Sequence, residues 1–425
     1  MARPPSDESP GPGRAFGDGR RDRAPWIDSQ RALARAVRRF IELEVAGGIA
    51  LLAATLAALA WANSPWQDGY QSFWSTRFVV DAGPFHLDET LHAVVNDGLM
   101  TVFFFVVGLE IKRELVTGEL RDPRAVGLPV FAALGGMLVP AALYGFLNAG
   151  GPGSAGWGIP MATDIAFALG VLALLGDRVP SSLKVFLLTL AIVDDVGAIV
   201  VIAAFYSAGL SWAWLGSAAV GLVAVAGLRR LRVWYLPVYV VIGTAVWFAT
   251  HESGVHATIA GVALGLLTPA RPLRPREEVP VTERLENTLH PWTTFVIVPL
   301  FALANAGVPV SAGALADTVT SAVGGGIILG LVVGKTLGVS AASWLAVRLG
   351  AGRLPEDVAW RQLVAVAAVA GIGFTVSLFI AGLAFDDPAL RETATLAVLV
   401  ASAVAALLGA ALSTAVTRGG RGSCR

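Results

Sequence analysis

The most constraining feature of this sequence is the stretch from Gly158 to Tyr206, which places carboxylates inside two long apolar segments. The segments are about 20 residues each with a short polar turn between them, a pattern typical of consecutive transmembrane helices. Asp164 lies in the first segment, and the adjacent residues Asp194 and Asp195 lie in the second. A carboxylate at membrane depth costs about 2.5 kcal/mol or more, so such residues usually line an ion or proton pathway. The stretch therefore predicts an ion-handling membrane protein.

The composition agrees with a membrane location. Of the 425 residues, 55% are hydrophobic and only 15% are charged, which is too apolar for a soluble domain of this length. The single cysteine, Cys424, excludes an intrachain disulfide, and the five histidines form no metal-ligand cluster. We expect no cofactor and no nucleic-acid partner. No short apolar core lies near Met1, so we expect no cleaved signal peptide.

Hydropathy predicts an all-α polytopic protein with twelve membrane spans. The predicted spans are residues 44–62, 92–111, 126–148, 157–175, 182–206, 212–228, 234–250, 254–269, 292–309, 322–347, 362–384 and 392–416. They form one domain over residues 31–417, between a disordered N-terminal extension (1–30) and a polar tail (418–425). A basic amphipathic stretch, Gln30–Leu43, either lies along the membrane surface or is an ordinary solvated helix start. Alternating residues around an Asp-Ala-Gly-Pro turn predict a small extramembrane β-hairpin at 72–87.

Positive charges fix the predicted orientation. Of the 31 Lys and Arg residues, all but Arg77, Arg391 and Lys335 fall on one side of the twelve-span arrangement. Short cytoplasmic loops carry the positive excess, so both termini should be cytoplasmic. An odd or shifted number of spans would destroy this asymmetry.

Lys335 is the fourth unusual residue, near the middle of the tenth span. A lysine at that depth should either lose its proton or find an acid, and Asp194 and Asp195 are the natural partners. Neighbouring residues on a helix point about 100° apart, so one aspartate can face Lys335 while the other faces an open cavity. A purely structural buried ion pair is the alternative interpretation.

Two spans contain residues that interrupt an apolar helix. The eleventh is interrupted at Gly371, Gly373 and Thr375, and the fourth at residues 160–164, which include Pro160 and Asp164. Broken helices in corresponding positions of two halves indicate a transporter site. If both helices unwind and cross at mid-membrane, Asp164 could instead neutralise the positive helix ends and Lys335 the negative ones.

Several long motifs occur in order along the chain: LMTVFFFVVGLEIKREL (99–115), ATDIAFALGVLALLG (162–176), IVDDVGAI (192–199), SGVHATIAGV (253–262), LHPWTTFVIVPLFALANAGV (289–308), GKTLG (334–338) and GIGFTVSLFIAGLAF (371–385). Through them the chain resembles the NhaA-type sodium/proton antiporters over about residues 40–417. The resemblance implies inverted-topology repeats. It also implies that Asp195 and Asp194 carry the ion and the proton and bind Na⁺, and that Lys335 pairs with Asp194. Asp164 and Thr163 would lie next to them on the broken fourth span.

The resemblance also implies how such a protein works. It would be an electrogenic secondary transporter rather than an enzyme, exporting Na⁺ and Li⁺ against inward-moving H⁺ and so regulating intracellular pH and sodium. It would act in the inner (plasma) membrane of a prokaryote, as a homodimer joined through the hairpin and active at alkaline cytoplasmic pH. The residues that resemble the family's pH-responsive cluster are Glu110, Arg113, Glu114, Glu286 and His256. For His256, a packing hydrogen bond is the alternative.

Two other classes of protein remain open from the residues alone. An intramembrane aspartyl protease would need Asp164 and Asp195 to face each other across a water molecule. Its usual Gly-x-Gly-Asp loop is missing, and it leaves Lys335 unexplained. A sodium-coupled symporter on a similar fold would need polar side chains for an organic solute, whereas this core is mostly Ala, Val, Leu and Gly.

Overall fold

A computed structural model describes residues 25–82, 85–118, 121, 123–207, 209–231, 233, 235–271 and 279–422. The chain divides into two units, Met1–Phe40 and Ile41–Arg425. Residues 1–24 of the predicted extension and residues 423–425 of the predicted tail lie outside the described residues. The second unit contains every site discussed below.

Helices make up most of the described chain. The α-helices are α1 Pro25–Ala62, α2 Gln67–Ser75, α3 Leu91–Ala93, α4 Met100–Val116, α5 Pro123–Leu147, α6 Ile165–Leu174, α7 Ser181–Phe205, α8 Trp212–Arg230, α9 Leu236–Glu252, α10 Thr258–Leu267, α11 Val281–Trp292, α12 Val298–Asn305, α13 Ala312–Thr320, α14 Ala322–Leu329, α15 Lys335–Arg348, α16 Trp360–Val369, α17 Phe374–Ala384 and α18 Pro388–Gly422. The 3₁₀ segments are Ser154–Met161 and Gly176–Arg178, and the π-helical segments are Val94–Leu99, Thr293–Ile297 and Gly330–Gly334. Each of the twelve predicted spans thus contains helix.

Length and hydropathy support fewer spans than twelve. Among the described residues, seven helices are long and apolar enough to cross a membrane, or nine if each of two bent pairs is one span. The bent pairs are Ser154–Met161 with Ile165–Leu174, at 41°, and Trp360–Val369 with Phe374–Ala384, at 47°. The other three predicted spans correspond to α9, α10 and α12, which have 17, 10 and 8 residues. The twelve-span count therefore stays a prediction.

The predicted hairpin is confirmed as a two-stranded antiparallel sheet. Strand β1 is Arg77–Ala82 and strand β2 is Phe85–Thr90, with Arg77 opposite Thr90 and Ala82 opposite Phe85. The strands begin later than the predicted boundary at residue 72, because the preceding residues form helix α2.

Glycines allow close contacts between helices in the second unit. On α5 and α15, a Cβ on Gly135 would overlap the carbonyl of Gly338, and a Cβ on Gly338 would overlap the carbonyl of Gly135. The two backbones are therefore in direct contact, which small residues between membrane helices allow. This contact places the stem of Lys335 beside Gly136, 3.5 Å from where a Cβ on that glycine would lie.

Candidate ion site

The first bent pair breaks at Ala162–Asp164. Ala162 is extended (φ −81°, ψ 154°), and Asp164 is the N-cap residue of α6 (φ −85°, ψ 108°). The Asp164 carboxylate accepts a hydrogen bond of 3.0 Å from the backbone N–H of Phe167. The first N–H groups of a helix have no partner inside the helix. A side-chain acceptor three residues earlier in the sequence, here Asp164, pairs with one of them.

The second bent pair breaks at residues 370–373 and contacts the first at its break. The backbone N–H of Asp164 donates to the carbonyl of Ile372 at 2.7 Å. A Cβ on Gly373 would lie 3.2 Å from the carbonyl of Ala162 and 2.9 Å from Leu331 Cδ2. Glycine at position 373 therefore allows the backbones of the two bent helix pairs to approach this closely.

Asp164 caps both helices that begin at the two breaks. Its Oδ2 accepts from the Thr375 hydroxyl at 2.6 Å and from the Thr375 backbone N–H at 3.1 Å, in the first turn of α17. Its carboxylate therefore faces the positive ends of both α6 and α17. Three hydrogen bonds therefore hold the Asp164 carboxylate at the starts of α6 and α17.

Lys335 and Asp194 form a fully buried ion pair. The Lys335 Nζ lies 2.6 Å from Asp194 Oδ2, and both side chains have 0% exposure. Lys335 also donates to the carbonyl of Met161, at the end of the 3₁₀ segment that precedes the break. The lysine thus neutralises an aspartate and a negative helix end together. This is the pairing that the resemblance implies.

Thr163 joins the ion pair to the second break. Its hydroxyl is within hydrogen-bond distance of Asp194 Oδ2, at 2.7 Å, and of the Ala370 carbonyl, at 2.9 Å. Asp194 Oδ2 therefore has two donors, whereas its buried Oδ1 has none among the described residues.

Asp195 lies one residue further along α7 and has a different environment. It is buried, with 9% of its surface exposed. Among the described residues it has no hydrogen bond or ion pair, although Asp194, Asp164, Glu110 and Lys335 are within electrostatic reach.

A second group of charged side chains connects α1, α4 and α11. Arg113 donates to Glu286 and lies 3.1 Å from Glu114. Burial raises the pKa of Glu286 above its usual range, although the charge of Arg113 opposes this. Glu110 lies within electrostatic reach of Glu286 and Arg113.

The same group contains two residues that the sequence analysis did not select. His290 Nε2 lies 3.2 Å from the carboxylate of Glu44. This close contact with Glu44, with the nearby charges of Glu110 and Glu286, raises the pKa of His290. His290 lies in the motif at residues 289–308, and Glu44 is an acid at the start of the first apolar span, which was a signal that could have been followed.

His256 is placed apart from the four other candidates of the pH-responsive cluster. Its ring lies 6.5 Å from the ring of Phe379, nearly edge-on at 69°, and it is close to the backbone of Tyr206. The structure therefore brings Glu110, Arg113, Glu114 and Glu286 together without His256.

The apolar helices and the two bent pairs in contact at their breaks, with a buried ion pair beside a carboxylate that has no ion pair among the described residues, are typical of membrane transporters with discontinuous helices. A sequence model of the family described as Na⁺/H⁺ antiporter 1 matches residues 38–412. The chain therefore belongs to the NhaA-type Na⁺/H⁺ antiporter family, and it is an integral membrane protein.

Curated relatives named as Na⁺/H⁺ antiporters align with this chain over nearly its whole length. The chain is 48% identical over 422 residues to a protein of Frankia alni named Na⁺/H⁺ antiporter NhaA 3, covering 92% of this chain and 90% of that one. It is 51% identical over 390 residues to Na⁺/H⁺ antiporter NhaA of Acidovorax sp., with 91% and 93% covered. The NhaA antiporter of Rhodopirellula baltica is 48% identical over 415 residues, with 89% and 93% covered.

Proposed function

We propose that this protein exports Na⁺ in exchange for H⁺ and that both ions compete for Asp195 and Asp194. The observation that carries the proposal is the contrast between these neighbours on α7. Asp194 is held by Lys335 and Thr163, whereas Asp195 has no partner among the described residues. A buried carboxylate with free oxygens must take either a proton or a cation to offset the cost of desolvation.

Competition for one carboxylate produces exchange. A hard cation such as Na⁺ prefers oxygen ligands, and Asp195, the unpaired Oδ1 of Asp194 and the Thr163 hydroxyl are the nearby oxygens of that kind. The same oxygens suit Li⁺, which is our second proposed substrate. Movement of the two bent pairs would present the site to each side of the membrane in turn, so that protons moving inward drive Na⁺ outward.

The ion pair provides a source for a second proton. If Na⁺ binding to Asp194 breaks the contact with Lys335, the lysine is left buried without its acid and can release a proton. Either Asp194 or Lys335 then supplies the second proton, and one net charge crosses the membrane per cycle. Each such charge is worth about 2.3 kcal/mol per 100 mV, so the membrane voltage would assist export.

We propose that the charged group on α1, α4 and α11 regulates transport by pH. A histidine whose folded-state pKa is raised contributes stability below its unfolded pKa, near 6.5, and loses it as the pH rises through the folded-state value. The Glu44–His290 contact should therefore weaken on the alkaline side, freeing α11 from α1. The groups that face His290 are Glu44, Glu110 and Glu286. This direction agrees with activation at alkaline cytoplasmic pH.

The remaining proposals concern the setting of the protein. The distribution of Lys and Arg supports cytoplasmic termini. The family supports a lipid-surrounded location in the inner (plasma) membrane of a prokaryote. Exposed apolar residues on β1, namely Phe78, Val79 and Val80, support a homodimer joined through the hairpin.

The test uses inside-out vesicles with an acid interior, to which NaCl and then KCl are added over a range of pH. Na⁺, but not K⁺, should dissipate the proton gradient. Asp195→Asn should abolish this response while the protein remains folded and inserted. Asp317→Asn, the same change at an exposed aspartate, is the matched control and should leave exchange intact. A wild-type exchange rate in Asp195→Asn would refute the assignment of Asp195 as the ion carrier. If Na⁺ did not dissipate the gradient at any pH in the wild-type protein, Na⁺/H⁺ exchange itself would be refuted.

A further inference from the structure

The hydroxyl of Tyr206 is built into the first half of the broken fourth segment. It accepts a hydrogen bond of 3.1 Å from the backbone N–H of Gly158 and donates one of 2.8 Å to the carbonyl of Ala155. Its ring lies 6.4 Å from that of Trp157 at an interplanar angle of 25°. Contacts with Ala155, Trp157 and Gly158, all within about one turn, therefore join this side chain to the 3₁₀ segment Ser154–Met161.

The two backbone groups that Tyr206 contacts are those that one 3₁₀ turn would otherwise join. In a 3₁₀-helix, the N–H of residue 158 is directed at the carbonyl of residue 155. The hydroxyl bridges this pair, donating to one group and accepting from the other. Side chains that enter a helical hydrogen-bond ladder in this way open or bend it. Tyr206 thus determines the local shape of the segment as well as its position.

Tyr206 also caps the C-terminal end of α7, the helix that carries both ion-site aspartates. Side-chain hydrogen bonds therefore join α7 and its C-cap to the broken segment at two places, in addition to the ring contact of Phe205 with Trp157. The inner tie is the hydrogen bond from Thr163 to Asp194, and the outer tie is Tyr206. The two ties are separated by twelve residues of α7, which is about 18 Å at 1.5 Å per residue.

The two ties differ in how they respond to the transported ions. The inner tie depends on the charge of Asp194, because a hydroxyl donates more strongly to a carboxylate than to a neutral acid. The outer tie involves a hydroxyl and two backbone groups, none of which changes charge during transport. It can therefore hold the segment in register with α7 while the inner contact forms and breaks.

We propose that Tyr206 is a positioning residue for the ion site. By inserting its hydroxyl between Ala155 and Gly158, it fixes the 3₁₀ segment against α7 and so sets how closely Thr163 approaches Asp194 and Asp195. This inference rests on the proposed exchange of Na⁺ at those aspartates.

Gly158 provides an independent way to disturb the same contact. A Cβ on Gly158 would lie 2.7 Å from the Tyr206 hydroxyl and 3.2 Å from the nearest ring carbon. Gly158→Ala should therefore displace the hydroxyl. In a Tyr206→Phe background the oxygen is already absent, and the added methyl group meets a less severe contact.

The experiment measures the apparent KM for Na⁺ and the maximal rate in vesicles. Tyr206→Phe keeps the aromatic ring and removes only the hydroxyl oxygen, so the amount of folded protein should match that of the wild type. We expect its KM to rise by about threefold to tenfold, the equilibrium effect of losing roughly one net hydrogen bond from the bound geometry. Its melting temperature should stay close to wild type, because Gly158 and Ala155 can then bond each other directly.

Tyr144→Phe is the matched control. The Tyr144 hydroxyl donates to the carbonyl of Gly153 at 2.7 Å, and that carbonyl also accepts from the backbone N–H of Gly156 at 3.0 Å, so Tyr144 adds to the first turn of the segment without separating its two backbone groups. Tyr144 is fully buried, so its variant should melt at a lower temperature and retain the wild-type KM. An equal rise of KM in both variants would reduce the effect at Tyr206 to general damage and overturn the proposal.

The double variant Gly158→Ala with Tyr206→Phe completes the test. If both single changes act through the same hydroxyl, the KM of the double variant should equal that of the worse single variant rather than the product of both effects. An unchanged KM in Tyr206→Phe and Gly158→Ala would overturn the role of Tyr206 while leaving Na⁺/H⁺ exchange intact. Loss of the Na⁺ response in the wild type would instead refute the proposed function.

Discussion

The buried Lys335–Asp194 pair makes the strongest quantitative prediction. Lys335→Ala leaves the Asp194 carboxylate buried with only the Thr163 hydroxyl as a donor, and it leaves the Met161 carbonyl without its lysine. Removing one partner of a buried ion pair costs about 3–5 kcal/mol. An unfolding entropy of about 2.1 cal/mol/K per residue gives about 0.9 kcal/mol/K for 425 residues. We therefore expect the melting temperature to fall by about 4 °C.

The assay is thermal unfolding of the purified protein in detergent, with two companion variants. Lys335→Met retains most of the stem beside Gly136, so it separates the loss of charge from the loss of packing. The double variant Asp194→Asn with Lys335→Ala no longer buries an uncompensated charge. It should therefore be more stable than Lys335→Ala alone.

Two results would refute this reasoning. If Lys335→Ala has the same melting temperature as the wild type, the ion pair contributes nothing to stability. If Lys335→Met is stable and Asp194→Asn restores nothing, the loss comes from an unfilled volume beside α5 rather than from an unpaired charge.

Three further predictions follow from other contacts. In His290→Gln, the melting temperature should fall relative to wild type at pH 6 but not at pH 8.5, because the contact with Glu44 is lost on the alkaline side; a difference independent of pH would contradict this. Asp164→Ala should destabilise the protein by about 1–3 kcal/mol in denaturant or thermal unfolding, since it removes a cap and leaves the Thr375 donors unpaired; an unchanged stability would exclude the capping role. Deletion of the strands Arg77–Thr90 should convert a dimer to a monomer by light scattering, and persistence of the dimer would place the interface elsewhere.

The sequence alone determines the class of this protein. The free energy of placing a residue in the membrane depends mainly on its type and depth, so apolar runs containing Asp164, Asp194, Asp195 and Lys335 mark both the spans and the unusual residues. Local chemistry likewise predicts the two breaks, because proline and glycine weaken a helix wherever they occur. The hairpin follows from an alternating pattern around a turn, although helix α2 shortened it.

Only the tertiary structure decides which residues meet. The helical period orients side chains around one axis but does not say which neighbour lies on each side. Either aspartate could therefore face Lys335 by periodicity, whereas the structure pairs it with Asp194, 141 residues away. The contacts of Glu44 with His290 and of Tyr206 with the 3₁₀ segment have no local signal for the same reason. They depend on backbones that approach through glycines distant in sequence, and that approach is a property of the packed helices.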